Sequence, residues 1–155
     1  MLSPSIKTKL NAQLAIKRKR LTPTREEIYN VLCSHDEALS MMDIELLTDT
    51  IDKSTISRTI HLFLEVGAIH KIDDGTGIFK FATSPLITTE DAPHAHFFCT
   101  VCQRTYCLDE TTASSLFDVH ANTKNDILPE GFICKSISIL IKGTCPRCSP
   151  RLSKR

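Results

Sequence analysis

The chain has 155 residues, 41% of them apolar and 24% charged, with a formal net charge of +1 and a mean hydropathy near zero. That length suits one ordinary domain or two small ones, and no apolar run approaches the roughly 20 residues of a membrane span. The N-terminus has no apolar h-region followed by a small-residue cleavage site. Collagen-like, disordered and membrane classes therefore drop out, and a globular cytoplasmic protein is expected.

Ile6, Leu10, Leu14 and Ile16 recur at helical spacing and predict an amphipathic first helix over residues 5–16. Up to Arg25 the chain carries Lys7, Lys9, Lys17, Arg18, Lys19, Arg20 and Arg25 without one acid. A basic arm on a nearly neutral chain points to a polyanion, although a solvated terminus would read the same way. Thr22-Pro23 sets a capping hydroxyl before a proline suited to a first helical turn, and Thr24-x-x-Glu27 offers an overlapping capping box. Ile28, Val31 and Leu32 form the apolar stripe of this second helix. Ser40 is expected to cap a third, with Met41, Ile44 and Leu47 inward. Ser54 should cap a fourth over 54–66, with Ile56, Ile60 and Phe63 inward and Gly67 as its stop. Ile69–Ile72, an Asp-Gly turn over 73–77 and Ile78–Phe81 then read as a β-hairpin.

Helices followed by a two-stranded hairpin give the order of a winged helix-turn-helix over residues 1–81, with the fourth helix as recognition helix. Opposite its apolar stripe stand Ser54, Ser57, Arg58 and His61. Short hydroxyls and an arginine suit phosphates and guanine edges in a major groove, and a merely solvated face is the alternative. The candidate contacts to double-stranded DNA are Lys17, Arg18, Lys19, Arg20, Arg25, Ser54, Thr55, Ser57 and Arg58.

Residues 82–93 contain Pro, Thr and acids without periodicity and read as a hinge linker. Beyond it come a strand to Phe98, a strand over Arg104–Leu108, a short helix near Ser114–His120 and a long strand over Phe132–Lys142. Ile133, Ile137, Ile139 and Ile141 would share one face of that last strand. This α/β unit, 94–155, is too thin to bury both sheet faces, so a second copy is expected to extend the sheet and hide its edge. The fold class is thus α+β: an N-terminal winged helix plus a small C-terminal dimerisation domain.

Seven cysteines, an odd number, argue against a full disulfide set. Cys99-Thr-Val-Cys102 and Cys145-Pro-Arg-Cys148 are two CxxC turns. Two such turns complete a closed tetrahedral four-sulfur zinc site. The second could instead be a redox dithiol, but those usually open a helix, and Ser149-Pro150-Arg151 gives none room to develop. Cys33 and Cys134 read as small buried hydrophobes.

These residues resemble the ferric uptake regulator superfamily. Arg20-Leu21-Thr22-Pro23-Thr24-Arg25 looks like its start, and Ser54-Thr55-Ile56-Ser57-Arg58-Thr59-Ile60 with Gly67-Ala68-Ile69 like its recognition helix and entry to the wing. His94-Ala95-His96-Phe97-Phe98-Cys99-Thr100-Val101-Cys102 and Gly143-Thr144-Cys145-Pro146-Arg147-Cys148 look like its metal-binding half. The resemblance spans roughly 10–148 and implies a homodimeric, metal-responsive repressor that binds a palindromic operator, without a small-molecule substrate. Departures are also plain. Ser57 stands where relatives usually carry a base-contacting Tyr. Pro93, Ala95, Ser114 and Ile137 stand at the usual ligands of a second dimer-domain site, which is read as absent. The hinge is longer than usual, and Lys80 replaces a frequent carboxylate ligand.

The resemblance also implies a sensor site. Cys107 stands where relatives place Glu or Asp, and a soft thiolate favours zinc over manganese or ferrous iron. His70 resembles the wing histidine of the zinc-sensing (Zur) branch. With His94 and His96 these make an N₃S set for a second, regulatory zinc, with His35, Glu90 and Asp91 in reserve. Two rivals remain: the same family sensing iron, manganese or peroxide, and a structural-zinc module that binds another protein. No triad, phosphate loop or carboxylate pair suggests an enzyme.

Overall fold

A computed structural model describes residues 1–84, 94–108, 112, 129–133 and 138–149. The chain divides into two compact units, Met1–Thr88 and Thr89–Arg155. The first holds helices α1 (Pro4–Ile16), α2 (Pro23–Cys33), α3 (Met41–Leu47) and α4 (Lys53–Glu65). With them is an antiparallel sheet of β1 (Leu39–Ser40), β2 (Ile69–Ile72) and β3 (Lys80–Thr83), in the order β1-β3-β2. Helices over a small hairpin sheet make this unit a winged helix.

Its helices start where a side chain can take an unpaired amide. Thr22 accepts from the Arg25 amide, with Pro23 in the first turn. Ser40 and Asp43 form a reciprocal capping box on α3. On α4 the cap is Asp52 rather than Ser54. Its carboxylate reaches the Thr55 amide at 2.9 Å, so the helix opens one residue earlier, at Lys53. Gly67, at φ +69°, ends α4 in the left-handed conformation that suits glycine.

Leu10, Leu14, Ile28, Ile44, Ile56, Ile60 and Phe63 meet in the core as their spacing predicts. Tyr29 joins them, edge-on to Phe63 with ring centroids 5.4 Å apart, and its hydroxyl donates to the Ala68 carbonyl. Three residues depart from expectation. Ile16 is 75% exposed, because α1 ends there and the chain turns away at Arg18, φ +54°. Leu47 is exposed since Thr48 takes the inward place, its hydroxyl donating to the Ile44 carbonyl at 2.6 Å. Cys33, the last residue of α2, is exposed rather than core.

The hairpin also differs. Ile78 and Phe79 stay in the turn, exposed, and β3 starts only at Lys80, paired with Ile72. The cause is Asp74. Buried at 1% exposure, it gathers the Thr76 amide and hydroxyl and the Lys80 ammonium at 2.8 Å, which stretches the turn. β3 runs through Ala82 and Thr83, inside the expected linker, and β1 adds a strand the sequence reading missed.

The second unit centres on β4 (His94–Cys99). It pairs antiparallel with β5 (Thr105–Cys107) and parallel with β6 (Ser138–Gly143). Phe132 and Ile133, expected in the last strand, are exposed and follow a turn in which the Phe132 amide donates to the Pro129 carbonyl and Gly131 has φ +86°. The linker from 85 to 93, the helix near Ser114–His120, Cys134 and Ile137 lie outside the described residues. Among those described, no helix is long and apolar enough to cross a membrane.

The wing ion pair generates a stability prediction. Removing one member of a buried pair strands the other charge, at about 3–5 kcal/mol, whereas an apolar replacement of both is near neutral. Asp74→Ala should lower the unfolding free energy of the full chain in urea by about 3 kcal/mol, and Asp74→Leu with Lys80→Met should recover most of it. A loss from Asp74→Ala of under about 1 kcal/mol would mean that water reaches the pair.

Candidate metal centre and nucleic-acid face

The two CxxC turns meet because β4 and β6 run parallel. Their last paired residues are Cys99 and Gly143, so both chains leave the sheet at the same end. The Thr100 amide and hydroxyl donate to the Gly143 carbonyl at 2.8 and 3.2 Å and tie the exits together. Gly143 permits the approach: a Cβ there would stand 3.1 Å from Phe97 Cζ. The first turn closes through the Gln103 amide on the Cys99 carbonyl, with Gln103 at φ +58°. In the second turn the Cys148 and Ser149 amides share the Cys145 carbonyl.

The sulfurs of Cys99, Cys102, Cys145 and Cys148 lie within 4.8 Å of one another, and those of Cys102 and Cys145 are 3.7 Å apart. A tetrahedron with zinc–sulfur bonds near 2.3 Å has edges of about 3.8 Å. The fit is close. Amides of Cys102 and Cys145 point at Cys99 and lower its pKa to about 6. Burial raises that of Cys148 to about 12. For Cys145 burial opposes ionisation, but the Cys148 amide and the Tyr106 hydroxyl favour it and prevail. Four thiolates this close repel unless a cation sits among them, so the cluster can hold zinc, and these four residues would be its ligands. A closed set of this kind supplies cross-linking rather than a catalytic water.

A second pair forms on the same sheet. His96 and Cys107 face each other in register across β4 and β5, with ligand atoms within 4.8 Å. His96 is buried and Cys107 exposed. His94 opens β4, its backbone paired with Ser138. In the first unit His70 lies on β2 opposite Ala82, with Nδ1 3.4 Å from the Ser84 hydroxyl. His35 is engaged elsewhere, its Nδ1 2.8 Å from the Val31 carbonyl at the end of α2. Glu90 and Asp91 lie outside the described residues.

Of the candidate DNA contacts, Lys17, Arg18, Lys19 and Arg20 are exposed on the turn between α1 and α2. Backbone bonds from Lys17, Arg18 and Lys19 to Leu14 and Ala15 fix that turn. Arg25, half-buried, braces it by donating from Nη1 to the Arg20 carbonyl at 2.6 Å. Lys17 lies 3.7 Å from the Glu65 carboxylate of α4. Ser54 and Arg58 are exposed on α4, and Thr55 and Ser57 half-buried. The Ser57 carbonyl is 2.9 Å from His61 Nδ1. Sequence reasoning missed Asp52 here. The signal was a carboxylate three residues before a hydroxyl in an otherwise acid-free first turn, and the neighbouring serine drew the cap assignment instead.

The cysteine geometry carries its own test. Purified protein should hold one zinc per chain that survives mild EDTA, and Cys145→Ser should lose it, by elemental analysis. An unchanged zinc content in that variant would remove the four-sulfur site.

A model of the ferric uptake regulator family matches residues 17–125. The ferric uptake regulation protein of Bacillus subtilis (strain 168) is 30% identical over 146 residues, covering 91% of this chain and 93% of that protein. That of Synechococcus elongatus is also 30% identical, over 92% and 95%. Among solved structures, a zinc uptake regulator complexed with zinc and DNA superposes with a TM-score of 0.62 at 22% identity, covering 95% of this chain and 96% of that one, a likeness of fold. The chain belongs to the ferric uptake regulator family, whose members are metal-responsive, DNA-binding transcription regulators and not enzymes.

Proposed function

We propose that the protein is a homodimeric repressor acting in the cytoplasm, which binds a palindromic operator when its regulatory site is loaded with zinc. The observation that carries this reading is the pairing of His96 with Cys107 across neighbouring strands. Imidazole and thiolate together favour zinc over the oxygen-seeking manganese and ferrous ions. His94, two residues before His96 on β4, and His70 on the wing strand β2 would complete an N₃S set. Cys99, Cys102, Cys145 and Cys148 would hold a separate structural zinc that fastens the ends of β4 and β6.

The regulatory metal can act only by binding two conformations with different affinity. Drawing one ligand from the wing and three from the second unit would meet that requirement, because only some placements of the wing satisfy all four. In the competent form two wings would sit about one DNA turn, or roughly 34 Å, apart on a dimer. Lys17, Arg18, Lys19, Arg20 and Arg25 would then serve the phosphates, and the face of α4 that carries Ser57 and Arg58, with Ser54 and Thr55 beside them, would enter the groove. Dimerisation is supported by the thin three-stranded sheet, whose described part leaves edges to cover. The domains follow as residues 1–81, a hinge 82–93 and 94–155, with β3 entering the first residues of that hinge.

Iron sensing is the second reading, favoured by the ferric uptake names of the curated relatives. The two part on one experiment. A duplex selected by the wild-type protein from a random-sequence library is titrated under buffered zinc, ferrous iron or manganese and followed by fluorescence anisotropy. Zinc should tighten binding at least about tenfold, and Cys107→Ser should abolish that gain while keeping the structural zinc and the dimer mass. Activation by ferrous iron alone, or indifference to Cys107→Ser, would assign the site to iron or another signal. A wild-type protein that selects no duplex at all would favour the protein-interaction module instead.

A further inference from the structure

Arg58 does not wave freely from α4. Its Nε donates to the Ser54 carbonyl at 3.1 Å, and its Nη2 to the Ser54 hydroxyl at 3.2 Å and the Thr55 hydroxyl at 3.3 Å. The Ser54 hydroxyl is itself oriented, because its one proton goes to the Asp52 carboxylate at 2.5 Å and leaves a lone pair facing the guanidinium. Hydrogen bonds from Ser54 and Thr55 also hold the Asp52 carboxyl well below the usual carboxylate range, so it stays an acceptor.

This geometry changes the roles of two residues that a sequence reading places directly on DNA. Resting on the proposed DNA-binding function, we infer that Ser54 and Thr55 are positioning residues that act on DNA through Arg58. An arginine has five N–H donors. With Nε and Nη2 engaged inside the helix's first turns, the two protons of Nη1 are left to point outward. The hydroxyls, occupied by the arginine and the carboxylate, have little left to offer a base edge. A long side chain otherwise loses rotamer freedom on binding, and holding it beforehand removes part of that cost. An unheld arginine would find a phosphate anywhere along the groove. A held one addresses one place on the base-pair stack, so the hydroxyls would supply sequence preference without touching the sequence.

A double-mutant cycle separates positioning from contact. The full-length, zinc-loaded protein is used, with Ser54→Ala and Thr55→Val combined, Arg58→Ala, and all three together. Each is titrated against the duplex selected by the wild type and against a scrambled duplex. If the hydroxyls work through Arg58, the hydroxyl variant should bind the selected duplex about fivefold more weakly and the arginine variant about thirtyfold. The triple variant should match Arg58→Ala within about twofold. The scrambled duplex should bind the hydroxyl variant like the wild type, with an unchanged salt slope, which a merely unfolded helix would not give. Losses that multiply in the triple variant would make Ser54 and Thr55 direct contacts and overturn the inference, as would a hydroxyl variant with undiminished preference. Should the wild type bind no duplex, the DNA-binding reading falls and this one with it. Loss of binding in Arg58→Ala with multiplying effects would spare the former and sink only the latter.

Discussion

The parallel pairing of β4 with β6 is the constraint on which the metal chemistry depends. Antiparallel strands would send the residues after Cys99 and after Gly143 to opposite ends of the sheet, and four thiols could not converge. Running the same way, the strands deliver two CxxC turns to one place, and the Thr100 bonds to the Gly143 carbonyl fix how far apart the exits stand. The same strand orders the second donor pair. Because β5 pairs antiparallel with the other edge of β4, Cys107 falls opposite His96. One central strand therefore contributes to both donor clusters, and a cation at the four sulfurs would stiffen the strand that presents His96.

The wing is governed by a different force. A carboxylate and an ammonium buried together carry a desolvation cost that their attraction offsets only with good geometry. Asp74 achieves this by collecting the Lys80 ammonium and the Thr76 amide and hydroxyl at once. The result is a long turn with fixed shape, leaving Ile78 and Phe79 outside the sheet, where the Lys71 ammonium lies 4.0 Å over the Phe79 ring. An oxygen donor at position 80 would leave Asp74 facing another acid, so Lys80 and Asp74 belong together. The lysine that interrupts the family's ligand pattern is accounted for by folding of the wing, independent of metal.

Much of this was legible in the sequence, for reasons that differ by element. Leu10, Leu14, Ile56, Ile60 and Phe63 reached the core because a 3.6-residue period survives in any packing. The CxxC turns were legible because zinc fixes both residue type and spacing. What failed was decided at longer range or by competition. Nothing near Asp74 announces that Lys80 will reach it, so the hairpin register moved by two residues. Thr48 displaced Leu47 because a hydroxyl satisfied by the Ile44 carbonyl can be buried at little cost. Asp52 displaced Ser54 as cap because both can reach an amide, and the choice moves the cap by two residues. The β1 pairing with β3 is two residues long, too short to leave a period.

The two donor clusters also imply a division of labour in affinity. Four thiols already gathered by backbone bonds within one unit need little ordering to take a cation, so such a site binds tightly and exchanges slowly. Under the proposed function, a set that drew His70 from the wing would also have to fix the wing, and the free energy spent on that ordering would come out of the apparent affinity. Of two such sites the weaker would be the one able to report a changing metal supply, since a site saturated at every physiological concentration carries no signal. The cost of ordering is also the coupling: whatever placement of the wing the metal requires, a bound operator that requires the same placement will raise the metal affinity by an equal factor. In this arrangement a soft thiolate such as Cys107 has a second use. It would restore zinc selectivity to a site that ordering costs had weakened, without making it as tight as the closed cluster on the same strand.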